Sequence, residues 1–492
     1  MNPPLQPAIR NFALIFFASL LFHLPGTWTL PLIDRDEPRF AEASREMLER
    51  SDYVVPFFNN NYRFDKPPLT YWFQTLSYRV FGINDFAARF PSAVAAALTA
   101  VLLFAWGRRI GPECVAWWAV IIFTVSFQTC VHAKAAVADM WLVLFVTAAH
   151  WAGYELLRDR FGPHPATHPI APGPQPRWWW MFYLALACAF LAKGPIGWTP
   201  LLAVGVTKWF VPDAQLQRRF LFATGIIFML SVVAIWGVPA VLRTDWEFLR
   251  VGLGRHVVSR SFGTFHGHGA RSAWMYFGTL PFYFVTIFLT FLPWSVKLPW
   301  LARKLWRERD RLDAYLIGGA AVIFLVFTLV TTKLPHYTLP AFPLLALLLA
   351  KALVATPGAE RFVRRAAIIG LAVALLVSVA TPLVSRFFIS EQLARKAGAD
   401  VTPEMEFAEF EYSEPSLVWY FRKHTKRWLA DLQEFEVPLF MNRPGPRFIV
   451  LQTARVPALF PTIPSGWKTY SVRGINPTIA KPLDVTLLLK PF

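Results

Sequence analysis

The run Ala366-Ala-Ile-Ile-Gly-Leu-Ala-Val-Ala-Leu-Leu-Val-Ser-Val-Ala-Thr-Pro-Leu-Val384 carries no charged side chain over 19 residues. At about 1.5 Å of rise per residue, a helix of this length crosses the roughly 30 Å hydrocarbon core of a bilayer. Arg361, Arg364 and Arg365 precede it and Arg386 follows, so the apolar stretch ends in charge at both sides, as a membrane span does. Taken as 363–387, it is the last of about eleven such runs; the others lie near 11–31, 86–107, 113–131, 135–157, 178–192, 195–211, 219–242, 275–297, 313–331 and 337–354. The first is read as a retained span, because no small-residue cleavage site follows it. The expected fold class is an all-α polytopic integral membrane protein, followed by a small C-terminal α/β domain.

Composition supports this reading. Of 492 residues, 55% are hydrophobic and 16% charged, and the mean hydropathy is +0.39. Those values exclude a soluble enzyme. Lys and Arg number 49 against 31 Asp and Glu, a net charge of +18. On so apolar a chain, such an excess speaks for membrane topology and anionic lipid, not nucleic acid. Cys114, Cys130 and Cys188 sit in or beside apolar runs, which leaves neither a disulfide framework nor a metal-binding Cys pair.

Basic residues collect on alternate connections, at Arg108 and Arg109, at Arg158, Arg160 and Arg177, at Arg218 and Arg219, at Arg303 to Arg311, and at Arg361 to Arg365. These are read as the cytoplasmic loops. The long connections 32–85 and 243–274 then face outward, and so does everything after 387. Residues 1–387 form the expected membrane domain, with loop 32–85 and its juxtamembrane helices included. Residues 388–492, with turn signals at Arg443-Pro-Gly-Pro and strand-like runs at Phe448-Ile-Val-Leu and Val485-Thr-Leu-Leu-Leu, form the appended domain.

The first outward loop opens Asp34-Arg-Asp-Glu-Pro-Arg-Phe-Ala-Glu-Ala-Ser-Arg-Glu-Met. Asp36 sits where an N-cap would, and Phe40, Ala43, Met47 and Leu48 recur at helical spacing opposite Glu42, Arg45, Glu46 and Glu49. The pattern fits a helix lying on the membrane surface. Asp36 and Glu37 can be capping residues or carboxylates held for general base work, with Arg39 as an anion ligand; spacing alone leaves both readings open. Farther on, Pro67 and Pro68 hold Asp65 and Lys66 on a stiff, non-helical segment before the helix that begins near Leu69.

Ionisable groups at membrane depth are costly, and so mark candidate function. They gather at Lys134 and Asp139, at Lys193 within Ala192-Lys-Gly-Pro-Ile-Gly, at Lys333 and His336, and in the second outer loop at Arg255, His256, Arg260, His266 and His268. Singly, each is explained by an ion pair or a snorkelling side chain. In the topology above, all fall on the outer side. Several cations and carboxylates at one face suit a phosphate-bearing lipid, with cations neutralising the leaving phosphate and a carboxylate activating an acceptor hydroxyl.

Together with Gly82-Ile-Asn-Asp-Phe-Ala-Ala-Arg-Phe-Pro-Ser, Ala138-Asp-Met, Lys333-Leu-Pro-His-Tyr and Tyr412-Ser-Glu-Pro-Ser-Leu-Val-Trp-Tyr, these motifs resemble the bacterial family 39 glycosyltransferases of GT-C fold, in particular the lipid A aminoarabinose transferase branch. The resemblance implies transfer of a sugar, in that branch 4-amino-4-deoxy-L-arabinose, from undecaprenyl phosphate to lipid A or another periplasmic glycolipid, polysaccharide or protein. It implies a multi-pass protein of the bacterial inner membrane whose active site faces the periplasm, and no nucleotide sugar. The family's catalytic aspartate falls on Asp36, its buried carboxylate on Asp139, and its phosphate-binding cations on Arg39, Lys66 and Lys193, with Arg260 and Lys333 counted beside them. A divalent metal ion (Zn, Mg or Mn) is implied at Asp65, where the branch can carry Glu, with His336 as the candidate second ligand. The rival from another class is a transporter or flippase of a lipid-linked sugar, which should spread ionisable groups along a path to both faces.

Overall fold

The computed structural model describes residues 5–161, 176–211, 215–259, 273–476 and 481–492. It is mostly helical, with a small sheet near the C-terminus. The chain divides into two compact units. The first comprises Met1–Pro25, Phe64–Thr70 and Pro91–Leu376; the second comprises Gly26–Arg63, Tyr71–Phe90 and Val377–Phe492. Most of the outward loop 32–85 thus groups with the C-terminal segment, and not with the spans as composition led one to expect.

From the N-terminus run α1 (Leu5–His23), α2 (Asp36–Arg50), α3 (Leu69–Phe81), α4 (Asp85–Ile110), α5 (Glu113–Val125), α6 (Phe127–Ala133), α7 (Asp139–Leu157) and α8 (Pro176–Lys193). Among the described residues, six helices are long and apolar enough to cross a membrane, or eight when each of two bent pairs counts as one span. The pairs break at Ser126, by 66°, and between Thr290 and Trp294, by 114°. Fewer spans qualify than the eleven apolar runs, because some runs fold in pieces. That at 195–211 becomes a 3-10 turn, Pro195–Trp198, a short helix, Thr199–Val206, and a second turn. The cause is legible at Lys193-Gly-Pro: Gly194 takes φ +81°, which side chains with a Cβ disfavour, and Pro195 cannot continue the preceding helix.

In the second unit, β1 (Phe57–Phe58) and β2 (Asn61–Tyr62) form a hairpin. Asn59 and Asn60 turn it with φ of 52° and 63°, the left-handed pair that a tight hairpin of this twist demands. The C-terminal part is a five-stranded sheet of β3 (Glu406–Phe410), β4 (Leu429–Asp431), β5 (Arg447–Gln452), β6 (Lys468–Asn476) and β7 (Lys481–Lys490), in the order β4-β3-β5-β7-β6. β3 runs parallel to both neighbours, while β7 is antiparallel to β5 and β6. Ile449 stands opposite Leu488 and Val450 opposite Leu487; buried on both faces, these strands are continuous apolar runs. Phe410, Val437, Phe440 and Met441 pack on one face of this pair.

α2 does not lie with one face in solvent. Residues Glu37 to Met47 are buried apart from Arg39, including Glu42, Arg45 and Glu46. Partners distant in sequence make this tolerable. Arg422 donates to Glu42 at 2.5 Å and to Glu49 at 2.8 Å, with its guanidinium 3.8 Å from the Trp428 ring centre. Arg45 pairs with Glu42 and donates to the carbonyl of Trp419 at 3.2 Å. Asp85 accepts from the Trp419 indole and the Tyr420 hydroxyl, each at 2.8 Å. These bonds explain why the outer loop and the C-terminal segment form one unit.

Removing one member of a buried pair strands the other, at about 3–5 kcal/mol. Arg422→Met is therefore expected to lower the midpoint of thermal unfolding in detergent, with Arg422→Lys falling between it and the parent. An unchanged midpoint in Arg422→Met would contradict the role given to this cation.

Candidate functional site

The first unit holds a half-open cavity of about 800 Å³, within the range of small-molecule and cofactor sites. Leu201, Leu202, Leu230, Val233, Val241 and Leu242 line it with several aromatic rings, and its charged lining residues are Asp65, Lys66 and Lys193. Phe64 fixes the segment that carries the first two: its ring meets Phe248 edge-on at 5.6 Å, and Phe248 in turn meets Trp236 at 5.2 Å. A Cβ on Gly252 would approach the Phe64 carbonyl at 3.1 Å, so a glycine is what lets the two segments come so near. Lys66 Nζ lies 3.2 Å from Asp65 Oδ1 and donates to the Asp65 carbonyl at 3.1 Å. Both side chains retain some exposure, 16% and 17%, which keeps the pair in reach of a ligand.

Lys193 closes α8 and Asp139 opens α7. The ammonium donates to Asp139 Oδ1 at 2.5 Å and lies 5.3 Å from the Tyr337 ring centre; Tyr337 is itself part of the cavity wall. His336 Nε2 is 3.8 Å from Asp139 Oδ1, and the His336 and His132 rings are 4.6 Å apart. Ligand atoms of His132, Asp139 and His336 all lie within 4.8 Å of one another. Asp65 is not part of that group.

Other expected residues are placed differently. Lys333 Nζ donates to the carbonyls of Thr328 and Val330 at 2.6 and 2.8 Å, and lies near the rings of Tyr276 and Tyr283. Its charge faces the C-terminal end of helix Arg311–Leu329, where a cation is favourable, and it is not in the cavity lining. Arg260, His266 and His268 lie outside the described residues.

In the second unit, the Asp36-Glu37 pair divides. Glu37 turns inward, accepts from Arg89 Nε and Nη2 at 2.9 and 2.7 Å and from the Ile33 amide at 2.7 Å. Arg89 spends its remaining donors on the carbonyls of Thr27, Leu30 and Pro31. Asp36 begins α2, one position inside the helix where capping had been expected, and is exposed. Arg39 is half-buried on the same helix. Asp34 accepts from the Ser416 amide at 2.8 Å and its hydroxyl at 2.5 Å, and desolvation raises its carboxyl to about 7.

Sequence reasoning assigned no role to Arg89, His132, Tyr337 or Asp34. Arg89 had a usable signal, a lone guanidinium in the first turns of an apolar helix, which must be paired if buried. His132 and Tyr337 each stand near a chosen residue, two before Lys134 and one after His336, with nothing in the spacing to show what they meet.

Comparison with known proteins gives three findings. The family model described as dolichyl-phosphate-mannose-protein mannosyltransferase matches residues 12–252. The undecaprenyl phosphate-alpha-4-amino-4-deoxy-L-arabinose arabinosyl transferase of Edwardsiella ictaluri is 32% identical over 354 residues, covering 69% of this chain and 58% of that protein. A transferase of the same description from Sodalis glossinidius is 30% identical over 360 residues, covering 70% and 60%. The match therefore takes in under two thirds of those relatives' length. The crystal structure of ArnT from Cupriavidus metallidurans bound to undecaprenyl phosphate superimposes with a TM-score of 0.77 at 20% identity, over 96% of this chain and 97% of that one. This last likeness shows a shared fold.

Two outcomes follow from the geometry. Lys193→Met leaves the Asp139 carboxylate unpaired and is expected to cost about 3–5 kcal/mol, whereas the double variant Lys193→Met/Asp139→Leu recovers most of the loss; additive losses in thermal unfolding would deny the pair. For Asp34, raised from 3.8 to about 7, the folded chain holds between those values a proton that the unfolded chain has released. Stability falls as pH rises through that window. Asp34→Asn should flatten the fall, which unfolding midpoints at pH 5 and pH 8 would register.

Proposed function

We propose that this chain is a family 39 glycosyltransferase of GT-C fold, a reading supported by its likeness to the mannosyltransferase model over residues 12–252 and to the aminoarabinose transferases, and that it transfers a sugar from undecaprenyl phosphate to lipid A or another periplasmic acceptor. The observation that carries this reading is the largely apolar cavity whose cations are Lys66 and Lys193. An isoprenoid tail asks for the first property and a phosphate head for the second. The relatives' aminoarabinose makes that sugar the leading donor.

The reaction is displacement at the anomeric carbon with inversion. An acceptor oxygen forms the new bond to that carbon while the bond to the phosphate oxygen breaks, and its electron pair leaves on undecaprenyl phosphate. Lys66 and Lys193 stabilise the growing negative charge, a contribution of about 10²–10³ in rate per well-placed donor. Since the leaving group is already a stable anion, cations matter more than a general acid. Asp36, exposed at the start of α2, takes the acceptor's proton or orients its hydroxyl or phosphate oxygen, and Arg39 assists as an anion ligand. Asp139 holds Lys193 in place. Arg260 and Lys333 remain further phosphate ligands in this proposal, though the bonds of Lys333 fit helix capping better. The divalent ion of the Zn, Mg or Mn class that the resemblance implies at Asp65 is not fitted there: that carboxylate is paired with Lys66, and His336, its expected second ligand, groups with His132 and Asp139 instead.

The chain is multi-pass in the membrane, as its apolar helices require. We place it in the bacterial inner membrane with about eleven crossings and the cavity opening to the periplasmic side.

The test supplies membranes containing the protein with undecaprenyl-phosphate aminoarabinose and lipid A, and reads products by mass spectrometry. A gain of one sugar on lipid A is expected. Asp36→Asn should lose about 10²–10⁴ of the rate, the usual share of a general base, and Lys66→Met about 10²–10³. Sugar-lipid that crosses the bilayer with no covalent product would support the transporter instead, and full activity in Asp36→Asn would remove the base from the mechanism.

A further inference from the structure

We propose that His132, Asp139 and His336 form a binding site for a divalent transition metal of the zinc class. Three separate elements bring the donors together: the end of α6, the start of α7 and the 3-10 turn Pro335–Ala341. Two imidazoles and one carboxylate are the ligand set of zinc sites that keep a fourth position open. In such a tetrahedron, with bonds of about 2.0–2.1 Å, neighbouring ligand atoms stand roughly 3.4 Å apart. His336 Nε2 and Asp139 Oδ1 are 3.8 Å apart, and all three donor atoms fall within 4.8 Å. Closing the set takes side-chain movement of about 1.5 Å or less on the tetrahedral geometry. His132 also has a partner for its other ring nitrogen: the Gln128 amide lies 2.8 Å from Nδ1, and with its oxygen turned to the ring it accepts the Nδ1–H that a zinc-bound imidazole presents.

The site differs from the one the resemblance implies, which is centred on Asp65. It also sets two cations in competition for one carboxylate. Lys193 Nζ is 2.5 Å from Asp139 Oδ1. A dication that takes this oxygen displaces the ammonium, and Lys193 already lies against Tyr337 and in the cavity wall. Metal occupancy thus transfers a positive charge from Asp139 to the cavity. The binding part of the proposal does not rest on glycosyl transfer, because it is measured without donor or acceptor.

The experiment uses the full chain in detergent, stripped by chelator, loaded with zinc chloride and dialysed, with metal content read by mass spectrometry. One zinc per chain is expected. His132→Ala and His336→Ala should weaken binding at least 100-fold, Gln128→Ala about 10–100-fold as supporting residues do, and Asp65→Ala should keep the metal. Lys193→Met, freed of the competing ammonium, should bind zinc more tightly. Cobalt chloride added to the unmutated protein should give the visible absorption of a four-coordinate centre, a readout that needs no variant to fold. A parent chain that retains no zinc or shows no such band overturns the site. So does zinc that is lost with Asp65 and kept without the histidines. Weaker binding in Lys193→Met overturns the competition.

Discussion

The 2.5 Å contact between the Lys193 ammonium and the Asp139 carboxylate is the constraint around which the first unit is arranged. Neither group could be buried alone among apolar helices, since an isolated ion in a low-dielectric interior loses hydration that nothing replaces. Pairing them fixes where α7 begins and α8 ends. The chain must then leave α8 at once, which Gly194 permits by its positive φ and Pro195 enforces. The break opens wall that the cavity uses, because Lys193, Gly194 and Pro195 all line it. A helix continued through this point would have filled that space with its own side chains.

The second unit solves the same problem with guanidinium groups. Arg89 offers five donors in a planar fork and satisfies Glu37 and three backbone carbonyls at once. Arg422 does the same between Glu42 and Glu49. A lysine ammonium, with three donors on a flexible stem, would meet fewer acceptors. Arg89 is enclosed by its acceptors, while Lys66 and Lys193, each paired with one carboxylate, also stand in the wall of an apolar cavity.

Much of the fold was legible. Runs of apolar residues with basic flanks identified the helical membrane class, and Phe448-Ile-Val-Leu and Val485-Thr-Leu-Leu-Leu were strands that pair with each other. Asp65, Lys66 and Lys193 were marked by proline and glycine, which act locally and so can be read locally. α2 was misjudged because its charged side looked solvated; periodicity tells which residues share a face, but not what that face meets. Glu42 is buried because Arg422, 380 residues away, compensates it. The bonds of Lys333 to the Thr328 and Val330 carbonyls were equally illegible, since carbonyls at a helix end give no sequence signal.

The sequence by itself determined the membrane class, the segments that must break, and the charges that needed an explanation. These follow from hydrophobic length, from φ limits at proline and glycine, and from the cost of burying an ion. Only the tertiary structure decided how each charge was satisfied: that Glu37 turns inward to Arg89 while Asp36 stays exposed, and that His132 and His336 meet at Asp139. Those outcomes depend on partners brought together from far along the chain, and the desolvation penalty names the need for a partner without naming which one arrives.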